Sequence, residues 1–428
     1  MSHQIVLLRA SGVALALLLI TACAVNPVTG QRELGLISEA EEIAIGRDNY
    51  VAGQQMQSGR YNVDPVLNDY VAQVGQRLAE ASDRPGLPYE FVVLNNSVPN
   101  AWAMPGGKIA INRGLLLEMD SEAELAAVLG HEIVHAAARH SARGMERNLA
   151  LQLGLGLGAM ALGTREDNVG MLLVGGASIA AGLLNQRYSR EAELEADRYG
   201  TIYMARAGYN PEAAVELQQT FVRLSEGRES GWLDGLFASH PPSQQRVEAN
   251  RATATELGRE GRMGRETYQQ RIAVLKRTAP AYEAYDEGRR ALRDGETDKA
   301  HTLARQAVAA EPREALFHGL LGDIDIQRGR YRDALPHLER AMARNNEYFA
   351  FHLNAGIAME QLQDYERARS HLEKSIQLLP TAPAHYTAGN VARAQGDRNR
   401  AIEHYRTAAQ SDSEAGARAR RALQEMGA

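Results

Sequence analysis

A chain of 428 residues is long enough for more than one domain. Its net charge of −6 leaves no basic footprint for nucleic acid, which is excluded as a partner. Few aromatics and many alanines point to a mainly α protein, and the single cysteine, Cys23, cannot form an internal disulfide.

At the N-terminus, Arg9 precedes an apolar run, residues 13–20, followed by small residues. That is the pattern of a secretory signal, too short to span a bilayer. It ends in Ile20-Thr21-Ala22-Cys23, which resembles a lipobox. The expectation is a lipoprotein-type signal peptide over 1–22 and lipidation of Cys23 as the first mature residue. Lipidation also removes a thiol that an oxidising compartment would attack. Ala24 is not an aspartate, and by analogy with bacterial sorting this favours the outer membrane. The chain is therefore expected in the periplasm, lipid-anchored to that membrane.

Residues 100–107 read Asn-Ala-Trp-Ala-Met-Pro-Gly-Gly and lead into a strand-like alternation from Lys108 to Asn112. This strand is expected to pair with an extended substrate through main-chain hydrogen bonds. Ser121 and Glu124 then form a capping box, and helix-forming residues without proline continue to Arg147. Inside this run lies His131-Glu132-Ile133-Val134-His135. Residues at i and i+4 share a helix face, so two imidazoles stand side by side with Glu132 adjacent. The spacing suits a zinc pair with a general base, or two surface histidines on a polar face. The neighbours Ala126, Ala127, Val128, Leu129, Ile133 and Val134 are apolar. The histidines are thus expected to be buried, where they need partners. A catalytic zinc takes three protein ligands and keeps one position open, so a third donor must come from elsewhere.

Two apolar arms follow, residues 149–163 and 171–184, divided by polar residues 164–168. Each is shorter than the roughly 20 residues of a membrane span. The segment 149–184 is expected either to form a helical hairpin beside the site or to touch a membrane or an apolar partner. Next comes an acidic helical run in which Glu193 and Asp197 are i,i+4 neighbours and Glu195 points elsewhere. It is either a solvated helix or the source of the missing ligand. Ser239-His240-Pro241-Pro242, with Arg246, completes the set.

In this order the four motifs, over roughly 150 residues, resemble the zinc metallopeptidase family that contains HtpX and the CAAX prenyl endopeptidases. The resemblance implies a zincin-type metalloprotease domain, helical with a small β-sheet, over 23–270. It implies one Zn2+ per chain held by His131, His135 and Glu193, with Asp197 orienting a ligating histidine. Glu132 becomes the general base that later protonates the leaving amine. Asn100 lies in a segment like the family's active-site edge and is expected at the substrate backbone. His240 is implied either as a catalytic group that stabilises the oxyanion, or as a fourth zinc ligand that holds the enzyme off until substrate arrives. Residues 26–30 and 38–42 also resemble lipoprotein members of this family.

Residues 251–278 are polar, with Gly258, Gly261 and Gly264, and read as connecting helices and a linker over 271–280. From 281 to 428 the sequence repeats. Gly288, Gly322 and Gly356 are 34 apart and Gly389 follows after 33; Ala300, Ala334, Ala368 and Ala401 keep the rhythm. Ala304, Leu338, Leu372 and Tyr405 form another column, and Gly295, Gly329 and Gly396 mark turns. This period resembles the tetratricopeptide repeat, an α-solenoid of helix pairs. Such a domain either binds protein or caps the protease. Exported, repeat-bearing members of the family combine protease and chaperone-like roles. The resemblance therefore implies misfolded or unfolded envelope proteins as substrates. It also implies docking of the repeats on clients or on the outer-membrane assembly machinery. The alternative is an assembly chaperone in which binding dominates over cleavage. The lipobox separates this chain from soluble members.

Overall fold

The computed structural model describes residues 23–154, 173–174, 177–227 and 239–428. The expected signal segment 1–22 lies outside them, as do 155–172 and 175–176 of the apolar hairpin. No helix among the described residues is long and apolar enough to cross a membrane.

An antiparallel pair, β1 (Cys23–Val25) and β2 (Arg32–Leu34), opens the fold. Helices α1 (Glu39–Met56), begun by a Ser38–Glu41 capping box, and α2 (Pro65–Glu80) follow. They lead to three strands, β3 (Glu90–Leu94), β4 (Ala101–Met104) and β5 (Lys108–Asn112). The order is β3-β5-β4, with β5 parallel to β3 and antiparallel to β4. Lys108–Asn112, expected to receive substrate, is thus the central strand. Both its edges carry ladder hydrogen bonds, so no backbone groups remain for an added chain. The edge strand is Ala101–Met104, which has a partner on one side only among the described residues.

A short turn, α3 (Arg113–Leu116), leads to the motif helix α4 (Glu122–Ala137). The Ser121–Glu124 capping box forms as the sequence implies, and every residue of α4 is buried. Glu122 in its first turn accepts from Tyr70 Oη at 2.9 Å and Tyr209 Oη at 2.8 Å, placing negative charge at the positive end of the helix dipole. The helix does not run on to Arg147. It stops at Ala137; Arg139 has a φ of +60°, and α5 (His140–Gly154) starts in a new direction. Arg139 is held in this costly conformation by Glu42, at 3.0 Å, and by Glu146, at 3.4 Å.

Helix α6 (Ala177–Leu184) packs against Trp102 and Met104 of the edge strand through Ala180 and Leu183. Helix α7 (Arg190–Arg206) lies against α4, where Gly130 and Gly200 meet. A Cβ on Gly200 would sit 2.8 Å from the backbone nitrogen of His131, so only glycine permits this approach. Helices α8 (Glu212–Gly227), α9 (Gln244–Leu257) and α10 (Arg265–Arg271) close the layer.

Residues 271–280, expected as a linker, are the end of α10, the buried Ile272 and the first part of the 21-residue helix α11 (Ala273–Arg293). Ile272 and Leu275 join the same hydrophobic cluster as Leu125, Leu129 and Ile133 of α4. Four antiparallel pairs follow: α11 with α12 (Thr297–Ala310), α13 (Ala315–Gln327) with α14 (Tyr331–Arg344), α15 (Phe349–Gln361) with α16 (Tyr365–Leu378), and α17 (Ala382–Ala394) with α18 (Arg398–Ala408). Helix α19 (Glu414–Met426) ends the array. The repeat columns have a packing cause. A Cβ on Gly322 or Gly356 would lie 2.7 or 2.6 Å from Leu338 or Leu372, so the glycine of one helix receives the large residue of the next. Arg113 stacks on Tyr282 at 3.4 Å, Asn95 donates to Glu314 at 3.0 Å, and Gln55 bonds Glu347 O and Phe349 N at 2.7 and 2.9 Å. The two halves therefore share one core.

Candidate metal centre

Helix α4 brings His131 and His135 to one face, as the i,i+4 spacing requires, with their Nε2 atoms 3.0 Å apart. Glu193 enters from α7, with its carboxylate 3.4 Å from His135 Nε2 and 3.6 Å from His131 Nε2. His240, just before α9, places Nδ1 3.2 Å from His131 Nε2 and 3.0 Å from Glu193 Oε1. Donor atoms of His131, His135, Glu193 and His240 all lie within 4.8 Å of one another, and all four residues are buried. Glu132 Oε1 lies 3.6 Å from His240 Nε2, and its Oε2 has no hydrogen-bond partner among the described residues.

The outer nitrogens decide what the inner ones can do. His131 Nδ1 is 2.9 Å from Asp197 Oδ1, and Asp197 is clamped by Arg246 through two bonds of 2.7 Å. A carboxylate only accepts, so His131 donates from Nδ1 and its Nε2 lone pair faces the cluster. On the other side, His140 Nε2 donates to Glu195 Oε1 at 3.2 Å, leaving its Nδ1 as acceptor. His135 Nδ1, 2.8 Å away, donates into it. His135 Nε2 is thus also a free lone pair. Two nitrogen lone pairs 3.0 Å apart, beside an anionic carboxylate, repel unless a cation lies between them. The residues present fit a metal ion, and the mixed nitrogen and oxygen donors suit zinc.

Burial pushes the Glu132 carboxyl up, and His240 and His131 pull it back only in part. Burial also raises Glu193, but His240, His131 and His135 outweigh it and hold Glu193 well below the usual carboxylate range. Asp197 is likewise lowered, because Arg246 and His131 overcome its burial. His135 is driven well below the ordinary histidine value, mainly by burial, which keeps the imidazole neutral.

All the sequence-selected polar groups except Asn100 and Cys23 meet here. Asn100 precedes β4; its carbonyl accepts from Asn112 N at 2.8 Å and its Oδ1 has no partner among the described residues. Cys23 opens β1 opposite Leu34. Two contributors, Tyr188 and His140, escaped the sequence reading, and Arg246 was named there without a role. Tyr188 stacks on His135 with ring centroids 3.8 Å apart. Arg246 was noticed only as a neighbour of the histidine motif, yet it also pairs with Glu193 at 3.0 Å. His140 lies five residues after His135, off the helical i,i+4 register, and reaches it only because of the turn at Arg139. Glu195 does point away from the ligands, but toward His140, and Asn26 of the N-terminal motif donates to it at 3.3 Å.

A family model described as Peptidase family M48 matches residues 65–254, and tetratricopeptide repeat models match 285–325, 321–383 and 382–414. The chain is similar to the Beta-barrel assembly-enhancing protease of Escherichia coli (strain K12), 28% identical over 339 residues covering 68% of this chain and 66% of that protein. It thus spans just under two thirds of this relative. It is also similar to the Putative beta-barrel assembly-enhancing protease of Vibrio cholerae, 33% identical over 198 residues, 45% of this chain and 40% of the relative. To Metalloprotease YcaL of Escherichia coli (strain K12) it is 30% identical over 182 residues, 41% of this chain and 68% of the relative.

Proposed function

The chain belongs to peptidase family M48 and carries C-terminal tetratricopeptide repeats, and from this premise we propose that it is a zinc-dependent endopeptidase of the bacterial envelope. Its substrates are misfolded or stalled envelope proteins. The observation that carries the reading is the convergence of His131, His135 and Glu193 with Glu132 beside them.

One zinc per chain would be held by His131, His135 and Glu193, and would supply Lewis acidity toward the scissile carbonyl and the attacking water. Glu132 takes the proton from the attacking water and returns it to the leaving nitrogen. Asp197 and His140 fix the tautomers of His131 and His135, Asp197 being held by Arg246. The edge strand Ala101–Met104, with Asn100 before it, receives the substrate backbone as an added strand. His240 would be a fourth ligand, giving way when substrate enters. Supporting this reading, its Nδ1 lies among the donor atoms while its Nε2 faces Glu132.

The protease domain occupies 23–270 and the repeat domain 281–428, and the repeats bind clients or the outer-membrane assembly machinery. The names of the relatives, which speak of beta-barrel assembly, support this reading. Lipidation of Cys23 tethers the protein to the outer membrane from the periplasmic side; mass spectrometry of the mature N-terminus tests this.

The test of the chemistry is cleavage of an unfolded protein by Glu132→Gln, which keeps the shape and removes the base. Loss of about 10²–10⁴-fold is expected; undiminished zinc-dependent cleavage refutes the assignment. For His240→Ala, faster proteolysis supports the inhibitory ligand and slower proteolysis supports oxyanion stabilisation. Full complementation by Glu132→Gln in cells favours an assembly chaperone instead.

A further inference from the structure

Two buried amides play no part in the chemistry described above. Gln218, on α8, is 4% exposed and Asn250, on α9, is 2% exposed. Gln218 Oε1 and Asn250 Oδ1 have no hydrogen-bond partner among the described residues. A buried acceptor left unmatched is destabilising, so two on the wall of one cavity call for a ligand. That cavity adjoins His131, Glu132 and His240, and its remaining surface is largely apolar, with Leu115, Val128, Leu217 and Phe221. Neither His135 nor Glu193 lines it. It therefore lies on the Glu132 side of the ligand cluster.

We infer that this cavity receives the side chain of the substrate residue following the scissile bond, and that it selects a short neutral side chain bearing a hydrogen-bond donor, threonine or asparagine. The inference rests on the peptidase reading. Glu132 returns its proton to the leaving nitrogen, and that nitrogen belongs to the residue after the cut. The side chain of this residue starts beside Glu132, at the mouth of the cavity. Size limits what fits. The cavity holds about 40 Å³. That is room for only a few water-sized groups, which suits a short side chain such as threonine or asparagine better than phenylalanine, lysine or arginine.

Chemistry limits it further. Arg246 at the cavity edge is already committed to Asp197 and Glu193. A carboxylate entering here would lose its hydration, and among the described residues the one guanidinium on the wall is already paired. Valine fills the same space as threonine but leaves both acceptors unmatched. A site built to hydrogen-bond its substrate rejects the analogue that lacks the group.

The experiment uses the full-length, zinc-loaded protein. An unfolded protein is digested, and the residue after each cut is read by mass spectrometry. Matched peptides carrying threonine, asparagine, valine or leucine at that position are then compared by kcat/KM. Threonine and asparagine are expected to exceed valine by about tenfold or more. Gln218→Leu and, separately, Asn250→Leu, on different helices, are expected to shift the preference toward valine and leucine, with melting curves as the control for folding. Wild-type protein that cuts equally well or better before valine or leucine overturns the cavity assignment alone. So does an unchanged preference in a variant that melts like wild type. If wild type makes no cut that the Glu132→Gln control lacks, the peptidase reading fails and the cavity assignment fails with it.

Discussion

Arg246→Met removes a buried cation shared by two carboxylates while keeping most of its volume. Arg246 is 5% exposed; it holds Asp197 through two bonds of 2.7 Å and Glu193 through one of 3.0 Å. Asp197 and Glu193 are themselves 6% and 3% exposed, so water cannot replace the lost partner. Breaking a buried pair by removing one member destabilises by about 3–5 kcal/mol, and that is the expected loss in urea unfolding of the metal-free protein. A second effect follows from position. Asp197 no longer held in place orients His131 poorly, and zinc affinity should fall about 10–100-fold in competition with a chromophoric chelator. Arg246→Lys should recover only part of either loss, because one ammonium cannot span both carboxylates as the guanidinium fork does. Adding Asp197→Asn to Arg246→Met should restore at least about 1 kcal/mol, since one uncovered charge is gone. An Arg246→Met protein within about 1 kcal/mol of wild type, with unchanged zinc affinity, refutes the account of how the site is held.

Other outcomes can be checked with the same methods. His140→Leu leaves His135 Nδ1 without its acceptor, and zinc affinity should drop about 10-fold or more; an unchanged value refutes the His140–Glu195 relay. In the repeats, His385 Nδ1 lies 3.1 Å from His404 Nδ1, and burial, then His404, lowers His385 from 6.5 to about 4. The folded state thus binds fewer protons than the unfolded one, so the contribution of His385 is fully present above pH 6.5 and is lost as pH falls toward 4. Between about pH 7.5 and 5 the loss is roughly 1–2 kcal/mol after allowance for partial exposure. Urea unfolding should show a smaller loss for His385→Gln, and equal losses contradict the burial argument. Gln363 has a φ of +64°, at the turn position that Gly295, Gly329 and Gly396 hold in the other repeats. Gln363→Gly should stabilise by about 0.5–1 kcal/mol, the left-handed strain relieved less the added chain entropy; a lower melting temperature refutes it.

Much of this protein is legible along the chain, because short-range rules suffice. A helix turns every 3.6 residues, so His131 and His135 had to share a face and Glu193 and Asp197 had to lie one turn apart. A 34-residue rhythm of small and large residues, Gly322 with Leu338 and Gly356 with Leu372, already encodes which helix receives which. The capping box at Ser121 announced the start of the motif helix. What the chain order alone could not decide is which groups meet across long separations. The strand chosen for substrate pairing proved central because strand order is settled by packing, not by alternation. His140 turns back to His135 only through the positive φ at Arg139, which Glu42 enforces from 97 residues away. Arg246 reaches Asp197 across 49 residues, and Gln218 and Asn250 share a cavity wall only because α8 packs on α9. Sequence by itself determined the donor types and the periodic scaffold. Tertiary structure alone decided tautomers, charge compensation and the shape beside Glu132, since each depends on desolvated contacts that no local pattern contains.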